Sequence, residues 1–277
     1  MAITVGIIAA TAIWTPQTGA DESPVLSVDK KVELTAHDHD GYVGLEVRLI
    51  DCLEATVTVT AKLDNVTSSV PLPLTVQVNG REPVEVVKLT RANFWKIGNY
   101  DYHCTCRLGG NAKIERSAFI YELPYTGAKY EVSQAAMGEF SHYEGSGDEY
   151  AIDWRMPVGT TVCAARAGTV IALRQDSTVG GKDKSFASAV NYVVIKHDDG
   201  TLGEYLHLKP QSVLVKLGDQ VKAHQPLARS GNTGLTTEPH LHFAVYVNID
   251  AQSRRCFPIK FHAKDGAVRE LHTGDRL

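Results

Sequence analysis

Strict alternation of polar and apolar residues over short segments is the feature that most constrains the fold of this chain. Residues 56–61 alternate between threonine and a small apolar residue, which places Val57, Val59 and Ala61 on one face of an extended strand. Glycine-containing turns separate such segments, and no segment of the second half has a convincing helical period. The pattern predicts an all-β protein.

The strand pattern falls into two regions that are divided near residues 123–127, which contain a proline and a glycine. We predict a leader or linker over residues 1–26 and an N-terminal β-sandwich-like accessory domain over residues 27–128. A second domain, with antiparallel strands and longer loops, is predicted over residues 129–277. Within the first domain, the Asn-Gly pair at 79–80 predicts a hairpin turn between two strands.

The sequence of the predicted leader fits two interpretations. Residues 2–13 are apolar and contain Ala10-Thr11-Ala12, which looks like a signal-peptide cleavage site, but no Lys or Arg precedes them. A trimmed signal peptide and a plain linker both fit. No other stretch is long or apolar enough to span a bilayer, so stable membrane insertion is not expected.

Composition excludes some partners. The 277-residue chain has a net charge of −4, so nucleic acid is not an expected partner. Its five cysteines are an odd number, which rules out a complete set of internal disulfides. Buried or half-exposed thiols are expected, and a bridge from Cys52 to Cys104 or Cys106 is the alternative for an exported protein. Composition does not fix the oligomeric state.

His240 and His242 carry the strongest chemical signal. They stand two residues apart at the start of an apolar, strand-like segment, so both imidazoles point to the same face. Neutral imidazole is a common zinc ligand and also titrates near physiological pH. The pair can therefore supply a metal ligand and an acid/base group side by side, although chance or a packed polar strand explains most such pairs.

Other side chains of the second half can converge on this pair. Asp153 has apolar neighbours at strand-like spacing, so its carboxylate needs a partner. The further candidates are His142, Glu149 and His207. With His240 and His242 they make the composition of a catalytic zinc site, which needs three protein ligands, an open position for water and spare imidazoles.

Ordered motifs run through the second domain, at residues 150–162, 164–170, 203–207, 218–221, 230–234 and 239–243. In type and order they resemble the lysostaphin-type (LytM-like) zinc peptidoglycan endopeptidases, over roughly residues 138–247. The resemblance implies that family's antiparallel β-sheet groove, with Zn²⁺ as cofactor and peptidoglycan as substrate. It also implies hydrolysis of a peptide bond in the cell-wall stem or cross-bridge, and a location in the bacterial envelope, periplasmic or secreted.

Carried over residue by residue, the resemblance implies that Asp153 and His242 bind zinc. His240 matches the first histidine of the pair, which helps to activate the water. His207 matches the other non-ligand histidine, which would stabilise the oxyanion or orient the water. Zinc would lower the pKa of the water and polarise the scissile carbonyl.

The sequence departs from the family pattern at the first zinc ligand. The family usually places a histidine four residues before the aspartate, and this chain has Glu149 there. We predict that His142 replaces it from further upstream, with the glycine-containing residues 143–149 looped out. The alternatives are that Glu149 is the ligand, since zinc accepts a carboxylate oxygen, or that the metal is lost.

Other functions compete with the enzyme. The main alternative is a catalytically degenerate peptidase fold that binds peptidoglycan or regulates another cell-wall hydrolase, but a dead site has no physical need for three histidines and an aspartate. Parts of the second domain are also similar to lipoyl and biotinyl barrels, yet neither Lys196 nor Lys222 has the context of a carrier lysine. His37 and His39 are interpreted as part of a solvated loop.

Overall fold

The computed structural model describes residues 5–14, 25–26, 30–115, 119–263 and 265–277. The chain divides into two compact units. The N-terminal unit comprises Thr4–Asn111 with Asp250–Gln252, and the C-terminal unit comprises mainly Ala112–Ile249 and Ser253–Leu277. The domain limits predicted from the sequence, at residues 26 and 128, stay predictions.

The N-terminal unit contains two antiparallel sheets, as expected of a β-sandwich. One sheet has the strand order β1-β9-β5-β7 and the other the order β2-β3-β4-β8-β6. The strands are β1 (Val5–Trp14), β2 (Val25–Leu26), β3 (Val32–His39), β4 (Tyr42–Leu49), β5 (Glu54–Asp64), β6 (Val66–Ser68), β7 (Leu74–Asn79), β8 (Val84–Arg91) and β9 (Gly98–Leu108).

Strand β5 shows why the alternating segments form sheets. Val57 and Val59 are fully buried, whereas Thr58 between them is partly exposed and hydrogen-bonds the Thr75 hydroxyl across the pair at 2.8 Å. Burial of every second side chain is the signature of a sheet with one covered face. The all-β prediction is confirmed, since strands dominate both units of the described chain.

Two local predictions in the N-terminal unit are wrong. The turn at residues 79–80 forms, with Gly80 at φ +81°, but it joins β7 to β8 in different sheets and closes no hairpin. His37 and His39 lie at the end of β3, where they face carboxylates of neighbouring strands. In both cases, the pairing of the strands follows the burial of their apolar faces and not the short sequence pattern on which the prediction rested.

Part of the predicted leader is a strand, and the cysteines form no disulfide. Within residues 1–26, the segment Val5–Trp14 is a strand that pairs antiparallel with β9. Residues 1–4 and 15–24 lie outside the described residues, so the leader stays a prediction. All five cysteines are buried and none is in a disulfide, so the alternative bridge from Cys52 does not form.

The C-terminal unit is built on an eight-stranded sheet of order β11-β12-β21-β17-β16-β14-β18, with β22 also paired to β21. The strands are β10 (Ile120–Tyr121), β11 (Glu131–Gln134), β12 (Ile152–Arg155), β13 (Thr161–Cys163), β14 (Gly168–Arg174), β15 (Gly180–Gly181), β16 (Tyr192–Lys196), β17 (Leu202–Leu206), β18 (Gln220–Val221), β19 (Pro226–Arg229), β20 (Gly234–Leu235), β21 (His240–Asn248), β22 (Arg254–Cys256), β23 (Lys260–His262) and β24 (Val268–Arg269).

Only one short helix interrupts the strands of the described chain, a 3-10 segment at Lys184–Ala189. No described helix is both long and apolar enough to cross a bilayer. Strands β16 and β17 form an antiparallel hairpin, with Tyr192 opposite Leu206.

Strand β21 is central in this sheet, and its two faces have different roles. Leu241, Phe243 and Val245 are fully buried in one apolar core. Because side chains alternate along a strand, His240 and His242 face the opposite side of the sheet. The strand lies between β12 and β17, with His242 opposite Asp153 on one side and Leu206 on the other.

His197 makes the stability of the protein sensitive to acid. Its side chain is buried, with Nδ1 2.8 Å from the Ala167 carbonyl oxygen, and burial lowers its pKa from 6.5 to about 4. The unfolded state therefore binds more protons than the folded state between these values, so this stabilisation is complete above about pH 6.5 and is lost as the pH falls towards 4.

We predict that replacing His197 by glutamine removes this dependence. Relative to wild type, the unfolding free energy of His197→Gln should improve by up to about 3 kcal/mol between pH 7 and pH 4, as measured by urea denaturation. The other buried histidines are present in both proteins and cancel in the difference. Parallel stability curves for the two proteins would contradict the prediction.

Candidate active site

Three of the predicted side chains meet in one buried cluster: His142, Asp153 and His242. His242 Nδ1 lies 2.9 Å from Asp153 Oδ1, and His142 Nε2 lies 3.5 Å from Asp153 Oδ2. One nitrogen or oxygen from each residue lies within 4.8 Å of those from the other two. Two imidazole nitrogens and a carboxylate oxygen therefore point at a common space.

Each member of the cluster is placed by a different kind of structure. Asp153 and His242 are directly opposite each other on the paired strands β12 and β21. His142 comes from the loop between β11 and β12, is completely buried, and lies with Nδ1 3.3 Å from the Ala135 carbonyl oxygen. Its Nε2 is also buried and has no hydrogen-bond partner among the described residues.

Gln134, which the sequence did not single out, holds the His142 segment against Asp153. Its Nε2 donates to Ser141 Oγ at 2.8 Å and to Asp153 Oδ2 at 3.2 Å. Its Oε1 accepts from the backbone N–H groups of Phe140 and Ser141. The side chain thus links the loop to the strand that carries the carboxylate.

His207 and His240 form a second pair beside this cluster, with ring centroids 4.3 Å apart. His207 Nδ1 lies 2.7 Å from the Thr233 carbonyl oxygen, and His240 Nδ1 lies 2.8 Å from the Glu238 carbonyl oxygen. A carbonyl can only accept, so each Nδ1 carries a proton when the ring is neutral. Each Nε2 is then left as a hydrogen-bond acceptor.

The cluster is electrostatically coupled. Burial would raise the pKa of Asp153, but the hydrogen bond from His242 and the nearby imidazoles hold it well below its ordinary value. Burial lowers the pKa of His142 to about 4 and that of His207 well below 6.5. Burial would also lower the pKa of His242, but Asp153 and Glu204 outweigh it and raise that pKa. An ionised carboxylate thus lies near two imidazoles that burial keeps neutral, those of His142 and His207.

Glu149, the alternative first ligand, is not part of this arrangement. Its backbone carbonyl accepts from Met137 N–H at 2.7 Å. Among the described residues, Glu149 belongs to none of the three groups of His, Cys, Asp and Glu side chains whose ligand atoms converge within 4.8 Å. The geometry therefore brings His142, and not Glu149, next to Asp153 and His242.

A groove of about 400 Å³ opens onto the cluster. Asp153, His207, His240 and His242 line its floor, and the exposed Phe140 stands at its side. Charged side chains of both signs also line the groove: Arg155, Lys182 and Glu238. A ligand of peptide size therefore has access to the buried polar side chains.

Behind the cluster lies a second set of buried charges that the sequence analysis missed: Asp148, Glu204 and Arg254. Arg254 pairs with both carboxylates. His242 Nε2 lies 3.7 Å from Asp148 Oδ1 and 3.7 Å from Glu204 Oε1. The charged residues Glu204 and Arg254 within strands were the available signal, but their contact with each other and with the loop residue Asp148 is not visible in the sequence.

Comparison with known proteins gives one family match. The sequence model of peptidase family M23 matches residues 147–254. This stretch includes Asp153, His207, His240 and His242, whereas His142 lies just before it.

Curated relatives match the same part of the chain. Peptidoglycan DD-endopeptidase ShyA of Vibrio cholerae is 39% identical over 95 residues, which are 34% of this chain and 19% of that protein. Lysostaphin of Staphylococcus simulans is 34% identical over 116 residues, which are 42% of this chain and 21% of that protein. The chain thus spans about a fifth of the length of these relatives.

Among solved structures, the catalytic domain of lysostaphin from Staphylococcus simulans is similar at 26% identity, with a TM-score of 0.31. The likeness covers 48% of this chain and 88% of that domain.

We predict that Gln134→Met frees the segment that carries His142. The variant removes the acceptor of the Phe140 and Ser141 amides, so these amides should lose protection from hydrogen exchange. We expect the unfolding free energy to fall by about 2 kcal/mol. Gln220→Met is the matched control, because it deletes one exposed hydrogen bond to Thr169 outside the site. Unchanged exchange at residues 140 and 141 would contradict the prediction.

Proposed function

We propose that this protein is a zinc-dependent endopeptidase of bacterial peptidoglycan, of the lysostaphin and LytM type, because the sequence model of peptidase family M23 matches residues 147–254. The observation that carries the proposal is the convergence of His142, Asp153 and His242 beside two further histidines at the floor of an open groove. The curated relatives that are named as peptidoglycan endopeptidases support the substrate class.

The chain's own side chains fit a zinc ion. Zinc prefers a small set of imidazole nitrogens and carboxylate oxygens, and the cluster offers two of the former and one of the latter. His142 Nε2 is buried without a hydrogen-bond partner, which is costly unless another group binds it. We propose His142, Asp153 and His242 as the ligands, with His142 in the place of the family's usual histidine and Glu149 outside the site.

The remaining two histidines are proposed to move and orient protons. A bound zinc ion supplies a Lewis acid that polarises a scissile carbonyl and makes water nucleophilic at neutral pH. His240 Nε2 lies 4.0 Å from Asp153 Oδ1 and is free to accept a proton, so His240 is the proposed general base. His207 has the same tautomer, which favours a role in orienting water through Nε2 over donation to an oxyanion.

The groove suggests how substrate is held. Phe140 is 89% exposed at its side and offers an apolar surface, while Arg155 and Glu238 pair with each other at 2.8 Å.

Because peptidoglycan lies outside the cytoplasmic membrane, we propose that the protein acts in the bacterial envelope, periplasmic or secreted. No nucleic-acid partner is proposed, given the acidic net charge of −4.

The zinc ligands are tested by metal content. We expect about one zinc per chain for wild type and for Glu149→Ala, and loss of zinc for His142→Ala, as measured by mass spectrometry of the purified proteins. His224→Ala is the matched control, because it removes an exposed histidine far from the cluster. Loss of zinc from Glu149→Ala alone would show that Glu149, and not His142, is the first ligand. A wild type that binds no zinc after reconstitution would point to the degenerate, peptidoglycan-binding module.

The role of His240 is tested by activity. We predict that His240→Ala lowers the rate of release of soluble fragments from purified peptidoglycan sacculi by at least about 100-fold, because a general base is lost. Its zinc content should equal that of wild type, because His240 is not among the proposed ligands. Full turnover by the variant would show that His240 is not the base.

A further inference from the structure

We propose that Asp148, Glu204 and Arg254 form a buried clamp that positions two metal ligands, His242 and His142. The inference rests on the proposed zinc site and goes beyond it, because it assigns a role to three residues that touch neither substrate nor metal. They are positioning residues, which act through the imidazole of His242 and through the loop that follows His142.

The clamp is held together by one guanidinium group. Arg254 Nη1 donates to Glu204 Oε1 at 2.7 Å, Nη2 donates to Asp148 Oδ1, and Nε donates to the Gly147 carbonyl oxygen at 2.8 Å. Its planar face lies 4.2 Å from the centre of the Tyr246 ring. A planar fork with all three nitrogens engaged has little freedom to move.

The carboxylates of the clamp aim at the ring of His242. Asp148 and Glu204 are fully buried, and both lie 3.7 Å from His242 Nε2. Buried carboxylates need hydrogen-bond donors or cations beside them, and Arg254 supplies part of this need for both acids. The N–H of His242 Nε2 is the donor that faces both acids.

This orientation decides which nitrogen of His242 is free for a metal. With a proton held on Nε2 by the acids, Nδ1, which donates to Asp153 Oδ1 at 2.9 Å in the metal-free protein, is the nitrogen that can give up its proton and bind a metal. A carboxylate behind a metal-binding histidine fixes the ring and its tautomer and raises its strength as a ligand. The clamp therefore presents Nδ1, and not Nε2, to the common space.

The same clamp holds the loop that follows His142, the residue proposed to replace the family's usual histidine as the first zinc ligand. Residues 143–149 are the extra length between His142 and Asp153, and Arg254 bonds two consecutive residues of this loop, Gly147 and Asp148. Gly147 has φ +79°, and a side chain there would meet Arg254 Cγ at 3.2 Å. The loop is thus closed against β22 at one end while Gln134 holds it at the other.

The test compares zinc affinity with the stability of the metal-free protein. Glu204→Gln and Asp148→Asn keep the shape and an acceptor oxygen for Arg254 but remove one negative charge each. We expect each variant to bind zinc at least about 10-fold more weakly, by competition with a chromophoric chelator. Cobalt substituted for zinc should show a shifted visible absorption spectrum in these variants, which a purely structural role would not produce.

Arg254 is tested by a graded pair of variants and a matched control. Arg254→Met should weaken zinc binding more than Arg254→Lys, because lysine retains a charge but cannot bond three acceptors. Arg166→Met is the control, since Arg166 is likewise buried and pairs with Asp198 and Asp199 away from the site. It should lower stability and leave zinc affinity within about 2-fold of wild type.

The outcomes separate this proposal from the proposed function. Wild type that binds no zinc contradicts the zinc site itself. Wild type that binds zinc while Glu204→Gln and Asp148→Asn bind it equally well, with an unchanged cobalt spectrum, overturns the clamp and leaves the enzyme intact. Weaker binding by both charge-removing variants, at a melting temperature of the metal-free protein equal to that of wild type, supports the clamp.

Discussion

The contact between Asp153 and His242 is the interaction on which the rest of the site depends. It exists because β12 and β21 pair in a register that sets these residues directly opposite each other. A slip of either strand by one residue would turn its polar side chain into the core, where Trp154 and Leu241 now pack, and would separate Asp153 from His242. The buried apolar side of the sheet therefore fixes the register, and the register brings the carboxylate to the imidazole.

Burying so many polar groups is unfavourable unless they have partners, and the fold supplies partners to several of them from three directions. Backbone carbonyls hold His207 and His240 at Nδ1, Gln134 holds Asp153 from the loop side, and Arg254 balances the acids behind His242. Each of these bonds also removes rotational freedom from a side chain at the groove. Preorganisation of this kind lets a binding site act without rearranging when a ligand arrives.

Features set by local geometry could be predicted from the sequence. The period of two placed His240 and His242 on one face, and the same alternation indicated the all-β architecture. Contacts between distant segments could not be predicted. The 79–80 turn joins two different sheets, and Arg254 pairs with Asp148, 106 residues earlier in the chain. His142 could be named as a replacement ligand only because a family pattern showed that one was missing. Its burial depends on Gln134 and on a loop whose path no local pattern encodes.

Anomalous diffraction at the zinc edge, from crystals of the zinc-loaded protein, tests the central claim most directly. Our account predicts one peak in the space bounded by His142 Nε2, Asp153 and His242 Nδ1, with Asp148 and Glu204 on the far side of the His242 ring. A peak bound to Glu149, a peak on the Nε2 side of His242, or no peak at all would contradict it.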